Sequence, residues 1–286
     1  MVPDLNLLSK VRLIRPINCC MMGFAVWVGA YLTYPRLSFH VYSLRLLLGF
    51  LTGFSLTGAS MAINDYFDRF IDAINEPTRP IPSGAVKPFE ALVYAGFLTL
   101  LGFAAALISN LLCLLAAVVA WMLFSTYIIK GKRMGFLGNL MVSGCVATPF
   151  IYGSLVIDRF NVNNFLFASM AFLSNTGREV TKGIVDVSGD RLHKVKTLAV
   201  LRGERTATYT ACAFYLSAVG LSLLPWVSGL ASAWYLALVA LADIGFVASS
   251  IHLLKNPSRE TARRVKQTVL VWMLLGLTAF LLGQAS

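Results

Sequence analysis

Residues 44–63 read LRLLLGFLTGFSLTGASMAI and run without a break into Asn64-Asp65-Tyr66-Phe67-Asp68-Arg69-Phe70-Ile71-Asp72. An apolar stretch of about 20 residues is what an α-helix needs to cross the hydrocarbon core of a bilayer. Here it delivers a burst of carboxylates directly at one membrane boundary. Similar apolar windows lie at roughly 17–35, 89–108, 111–129, 135–157, 164–177, 207–225, 231–254 and 267–284. The window at 164–177 is short and runs into polar sequence. None shows the period-two alternation of barrel strands, and backbone groups in lipid have to bond within their own segment, so the sequence predicts an all-α, polytopic protein with nine transmembrane helices.

Composition supports this reading. Of 286 residues, 57% are apolar and 13% charged, with a mean hydropathy of +0.73. Soluble domains are about 25% charged, so a water-solvated globule is excluded. The five cysteines are scattered through apolar stretches without a CxxC pair or His partners at metal spacing, which argues against a disulfide framework or a zinc site. The net charge of +11 is bunched between apolar runs and forms no basic domain, so nucleic acid is not expected as a partner. No obligate protein partner is implied.

The basic residues instead give a topology. Of 24 Lys and Arg, all but Arg36, Arg45 and Arg159 fall on one side of the nine spans. The positive-inside bias then places the N-terminus in the cytoplasm and the C-terminus outside. The first span has no cleavable-signal exit. The long polar connections all lie on the cytoplasmic side, where function is expected. A single domain is predicted, as two related four-helix halves, about 11–130 and 131–255, plus a ninth helix at 267–284.

If the second helix continues past residue 63, Asn64, Asp68 and Asp72 recur at every fourth residue and stack along one face. A second segment, Asp186-Val187-Ser188-Gly189-Asp190, again spaces two carboxylates by four at the end of the sixth window. Oxygen-only ligands suit a hard cation such as Mg²⁺, which is usually completed by substrate phosphates. Arg79, Lys130, Lys132, Arg133, Arg178, Lys182, Lys194 and Lys196 surround these acids, a surplus of positive charge suited to a diphosphate. Asp243, inside the eighth window, reads equally as a functional group or a buried polar contact. His193, beside the second cluster, reads more readily as a bystander. Lys194, Arg202, Arg205 and the 255–266 cluster read as topology determinants or anionic-lipid contacts.

Asn64-Asp65-x-x-Asp68-x-x-x-Asp72, followed by Thr78-Arg79-Pro80-Ile81-Pro82-Ser83-Gly84, the Arg15-Pro16-x-Asn18 entry to the first span, and Asp186-x-x-x-Asp190 resemble the motifs of UbiA-type intramembrane prenyltransferases. The resemblance spans essentially the whole chain. It implies nine helices around a central cavity open sideways to lipid, with a cytoplasmic cap bearing both motifs. It implies transfer of an isoprenyl group from its diphosphate. Asn64, Asp68, Asp186 and Asp190 would hold two Mg²⁺, with Asp68, Asp72, Asp186 and Asp190 as catalytic carboxylates and Asp65 in support. Tyr127 with Lys130 or Lys132 would meet the phosphate, although Gly131 occupies the position the family gives to lysine. Within that family, residues 177–190 are most similar to members that join a geranylgeranyl group to geranylgeranylglyceryl phosphate, forming an archaeal ether lipid. Arg15, Asn18, Arg79, Arg178, Lys182 and Lys196 would then bind substrates, the surplus cations answering the acceptor's own phosphate. The alternative is prenylation of an aromatic acceptor such as 4-hydroxybenzoate or a naphthoate. A cation-coupled transporter would need its acids near the bilayer midplane, and a CDP-alcohol phosphotransferase would need a motif that is absent.

Overall fold

A computed structural model describes residues 4–37, 39–129, 134–192 and 195–283. The chain forms thirteen helices among these residues: α1 (Asp4–Ile14), α2 (Pro16–Thr33), α3 (Phe39–Asn75), α4 (Pro88–Ser109), α5 (Leu111–Ile129), α6 (Phe136–Val156), α7 (Asn164–Val185), α8 (Val187–Leu192), α9 (Leu198–Arg202), α10 (Glu204–Ser222), α11 (Leu224–Val227), α12 (Ala233–Lys255) and α13 (Arg259–Leu282). No strand is present among the described residues. Each of the nine apolar windows coincides with a long helix. Eight of these are long and apolar enough to cross a membrane. The exception is α7, whose second half carries Arg178, Glu179 and Lys182. It continues eight residues beyond the predicted window because its polar side chains are satisfied by one another on the inward face.

At 1.5 Å per residue the 37 residues of α3 run about 55 Å, well beyond a hydrocarbon core of about 30 Å. The surplus lifts the first acidic motif clear of the apolar run on continuous helix. Around the bundle, α3, α4, α5 and α6 follow one another, with α2 packed on α3 and α6. The later helices α7, α10, α12 and α13 form a second group that closes on α2 through α13. The join at α2 and α6 depends on missing side chains. A Cβ on Gly29 would sit 2.3 Å from the Phe150 carbonyl oxygen, and one on Gly153 would sit 2.2 Å from that of Val26. Such backbone contact is how helices associate where apolar burial gives no preference over lipid. The Asn164 amide group donates to the carbonyls of Gly29 (2.9 Å) and Phe150 (2.8 Å), fixing the start of α7 to both.

At the end away from the acidic motifs, Asp158 pairs with Arg45 and accepts from the Asn110 amide at 2.9 Å. Outward faces carry large exposed apolar side chains such as Leu47, Phe97, Leu100 and Val119, as lipid contact requires. Two expected plain connections contain structure: the N-terminal arm folds as α1, and the link after α10 holds the single turn α11.

Candidate active site

The two acidic motifs meet. Asn75, the last residue of α3, donates its amide to the Asp186 carbonyl (3.3 Å) while its Oδ1 accepts from the Gly189 backbone N–H (3.1 Å). Gly189 permits this approach, since a Cβ there would lie 2.5 Å from the Asn75 amide nitrogen. One buried side chain thus docks the turn between α7 and α8 against the end of α3. Sequence reading passed over Asn75, because nothing local distinguishes it from an ordinary helix-ending residue.

Within the first motif the helix sorts its acids onto two faces. Four residues advance a helix by about 400°, so Asn64, Asp68 and Asp72 drift by about 40° per step, whereas residues seven apart nearly align. Asn64 does donate to Asp68 at 2.9 Å. Asp72 turns with Asp65 to a neighbouring face instead, so the expected three-residue stack holds for two of its members. Asp65 and Asp72 are 1% and 5% exposed. Arg15 meets Asp65 at 2.5 Å, and Arg79 meets Asp72 at 2.5 Å and Asp65 at 3.5 Å. These carboxylates hold the Arg79 guanidinium above its ordinary pKa, outweighing its burial.

The local sequence aims both arginines. Arg15 sits at the corner between α1 and α2 with φ 52°, a left-handed conformation costly for a non-glycine residue. The 76–87 loop is pinned by Val86 N–H donating to Pro80 O at 2.9 Å and by burial of Ile81 and Val86 against Leu13, Ile14 and Ala91. That folding turns Arg79 back onto the helix it follows.

The second motif has no such arginine partners among the described residues. Among the described residues neither Asp186 nor Asp190 forms an ion pair within 4 Å. Burial, then Asp186, then Asp68 push the Asp190 carboxyl up to about 7, against the opposing pull of Lys182. Asp68 therefore lies within electrostatic reach of Asp190, across the two motifs.

Below the motifs lies a chamber open to the exterior, with about 1130 Å³ of space between atoms when its open side is counted. Gly53, Thr57 and Ser60 line it from α3, on the stripe that leads up to Asn64 and Asp68. On α7, Asn175, Arg178 and Glu179 line it on the stripe that leads up to Lys182 and Asp186. Apolar side chains such as Leu56, Trp121, Phe124 and Val146 make most of the remainder, and Asn18 enters from α2. Glu179, unremarked in the sequence, bridges Arg178 and Lys182 at 3.5 Å each. Arg178 also donates to the Lys266 carbonyl at 3.3 Å. Tyr127, half-buried on α5, shares an electrostatic neighbourhood with Lys182, Glu179, Asp68 and Asp190. Lys196 has an exposed side chain, and its carbonyl packs on Gly135. Lys130, Lys132, Arg133, His193 and Lys194 lie outside the described residues.

No three His, Cys, Asp or Glu side chains among the described residues cage a metal unaided. Asn64, Asp68, Asp186 and Asp190 are oxygen donors on the stripes that lead up from the chamber, and neither Asp186 nor Asp190 has an ion pair among the described residues. Such a set suits a hard cation that takes one or two carboxylates and completes its shell with phosphate oxygens.

Known proteins bear on this arrangement. The family model described as the UbiA prenyltransferase family matches residues 21–281. Digeranylgeranylglyceryl phosphate synthase of Archaeoglobus fulgidus is 37% identical over 276 residues, covering 95% of this chain and 93% of the relative. The protein of the same name from Methanococcus vannielii is 31% identical, covering 98% and 99%. A solved structure from work on digeranylgeranylglyceryl phosphate synthase in membranes is 31% identical with a TM-score of 0.72, covering 97% and 98%. A UbiA homolog from Archaeoglobus fulgidus bound to GPP and Mg²⁺ shares the fold at 16% identity, with a TM-score of 0.61 and coverage of 95% and 99%. Matched across nearly its whole length, with both acidic motifs joined over an apolar chamber, the chain belongs to the UbiA prenyltransferase family.

Proposed function

We propose that the protein transfers a geranylgeranyl group from its diphosphate to the free hydroxyl of geranylgeranylglyceryl phosphate, forming an ether of archaeal membrane lipid. The full-length similarity to proteins named digeranylgeranylglyceryl phosphate synthase supports the substrates. The observation that carries the chemistry is the Asn75 bridge, which brings Asp186 and Asp190 over the same chamber mouth as Asn64 and Asp68.

In this reading Asn64, Asp68, Asp186 and Asp190 would hold Mg²⁺, as two ions. When bound, the metal neutralises charge developing on the departing diphosphate. Lys182 and Arg178 add positive charge at the chamber's rim, with Tyr127 nearby to orient phosphate oxygens. Arg15 and Arg79 hold Asp65 and Asp72, and through them the direction of the first motif. The carbon–oxygen bond at donor C1 breaks with its electrons leaving on the diphosphate. The acceptor oxygen bonds to C1, and its proton passes to the departing diphosphate. The apolar chamber wall keeps the allylic carbon from water during this exchange.

The charge distribution supports nine membrane-spanning helices with the N-terminus in the cytoplasm, the C-terminus outside and the active site facing the cytoplasm. Two related halves, about 11–130 and 131–255, would each supply one acidic motif, with α13 added.

Purified protein with Mg²⁺ and labelled geranylgeranyl diphosphate, offered geranylgeranylglyceryl phosphate, 4-hydroxybenzoate or a naphthoate in turn, tests the assignment. A prenylated product is expected from the glyceryl phosphate lipid alone. Turnover of an aromatic acid without turnover of the lipid overturns it.

A further inference from the structure

Behind the first chamber lies a second, with about 680 Å³ of space between atoms when its open side is counted, walled by α2, α6, α7, α10, α12 and α13. No residue of α3 lines it, so the stripe leading from Asn64 and Asp68 does not enter it. On α7 it begins where the first chamber ends: Met170, Ala171 and Ser174 belong to it, whereas Asn175, Arg178 and Glu179 belong to the first. Four residues border both spaces: Met21, Met22, Val146 and Met273. Three of the four are methionines, the flexible side chains best able to yield to a passing chain.

The polar groups of this second wall are few, and each of the following makes a hydrogen bond within the protein. Ser174 donates to the Met170 carbonyl at 2.9 Å, and the Asp243 carboxylate accepts from Ser222 at 2.8 Å. The surface left to a ligand is apolar. Gly276 lines the space, and a Cβ built there meets nothing within 4 Å.

Resting on the function proposed above, the reaction has two C20 chains to house. The first chamber is lined along α3 from Thr52 to Met61, about 14 Å at 1.5 Å per residue, and Asp68 stands about 10 Å further along the same helix, so the run from the acidic motif to the chamber floor is comparable to an extended C20 chain. The donor's tail is thereby accommodated along α3. We propose that the second chamber is the berth of the acceptor's isoprenyl chain, reached across the methionine border, so that the two chains lie in separate compartments.

Binding tests this without requiring turnover. Geranylgeranylglyceryl phosphate with a brominated chain, added without donor or Mg²⁺, should quench tryptophan fluorescence through Trp272, which lines the second chamber; Trp121 lines the first. Quenching should vanish in Trp272→Phe and persist in Trp121→Phe. The reverse pattern, or no binding, overturns the proposal. Binding in this pattern without any turnover would instead leave the berth standing and remove the function assigned above. Kinetically, Gly276→Leu and, from the facing wall, Ala171→Leu should cut turnover at least tenfold with a C20 acceptor and less than twofold with a C10 acceptor on the same head group. Equal losses for both acceptors, losses that track donor length, or no loss overturns it.

Discussion

The two acidic motifs look alike in sequence and differ in how their charge is met. In the first, Asp65 and Asp72 are buried and each is in contact with an arginine. In the second, Asp186 and Asp190 have no ion pair among the described residues, and Asp190 is pushed up to about 7 by burial and by its acidic neighbours. Burial, with Asp68 and Asp65, also pushes Asp72 up, to about 6, but there Arg79 opposes it in direct contact, whereas Asp190 is crowded by Asp186 and Asp68 with no ion pair among the described residues and so has the larger unmet demand for a cation. The lesson is that spacing alone does not separate acids that meet an arginine from acids that do not. The helical face, and what reaches it from elsewhere in the chain, does.

The largest expected effect breaks the first motif. Arg79→Met leaves Asp72 buried without its partner, and losing one member of a buried pair costs about 3–5 kcal/mol. The melting temperature should drop sharply, with partial recovery in Arg79→Met/Asp72→Leu; an unchanged melting temperature would mean the pair does not support the fold. Asp190→Asn should do the opposite. Prenyl transfer should fall by about 10²–10³-fold, while the metal-free protein melts no lower than wild type, because a carboxylate crowded by others has been removed. Comparable activity would take Asp190 out of the site.

Asn75→Ala should be intermediate. It removes two hydrogen bonds and leaves the Gly189 N–H buried, worth about 1–3 kcal/mol, and loosens the second motif. Metal affinity should weaken about 10–100-fold, as expected when a supporting side chain of a metal site is lost. If Mg²⁺ titrations of Asn75→Ala and wild type coincide, the bridge does not organise the site.

The smallest effect is in pH. A carboxyl raised to about 7 in the folded protein, from about 4 in the unfolded chain, adds stability that is complete below pH 4 and disappears as pH rises through 7. Metal-free protein should therefore lose stability between pH 4 and 7, and Asp190→Asn should lose less. Mg²⁺ affinity should move the other way, strengthening as pH rises through 7, since the ligand has to be deprotonated.

Much of this was legible in the sequence because the bilayer simplifies the problem. Apolar windows located the nine long helices, and the Asp motifs located the mouth of the chamber. Three features escaped for physical reasons. The polar end of α7 remained helical because Glu179 satisfies Arg178 and Lys182 on an inward face. Asp72 left the Asn64–Asp68 face because 3.6 residues per turn carries it there, toward an arginine seven residues on in a loop. Asn75 and Gly189 lie 114 residues apart and matter only once they touch.

The central claim is that both motifs grip one metal–diphosphate unit. Anomalous diffraction from crystals of the protein with Mn²⁺ and a non-cleavable geranylgeranyl diphosphate analogue measures this directly. Manganese peaks in contact with both Asp68 and Asp190, bridged by the analogue's phosphates, are the predicted result. Peaks confined to one motif, with the other turned away from the diphosphate, would contradict the account.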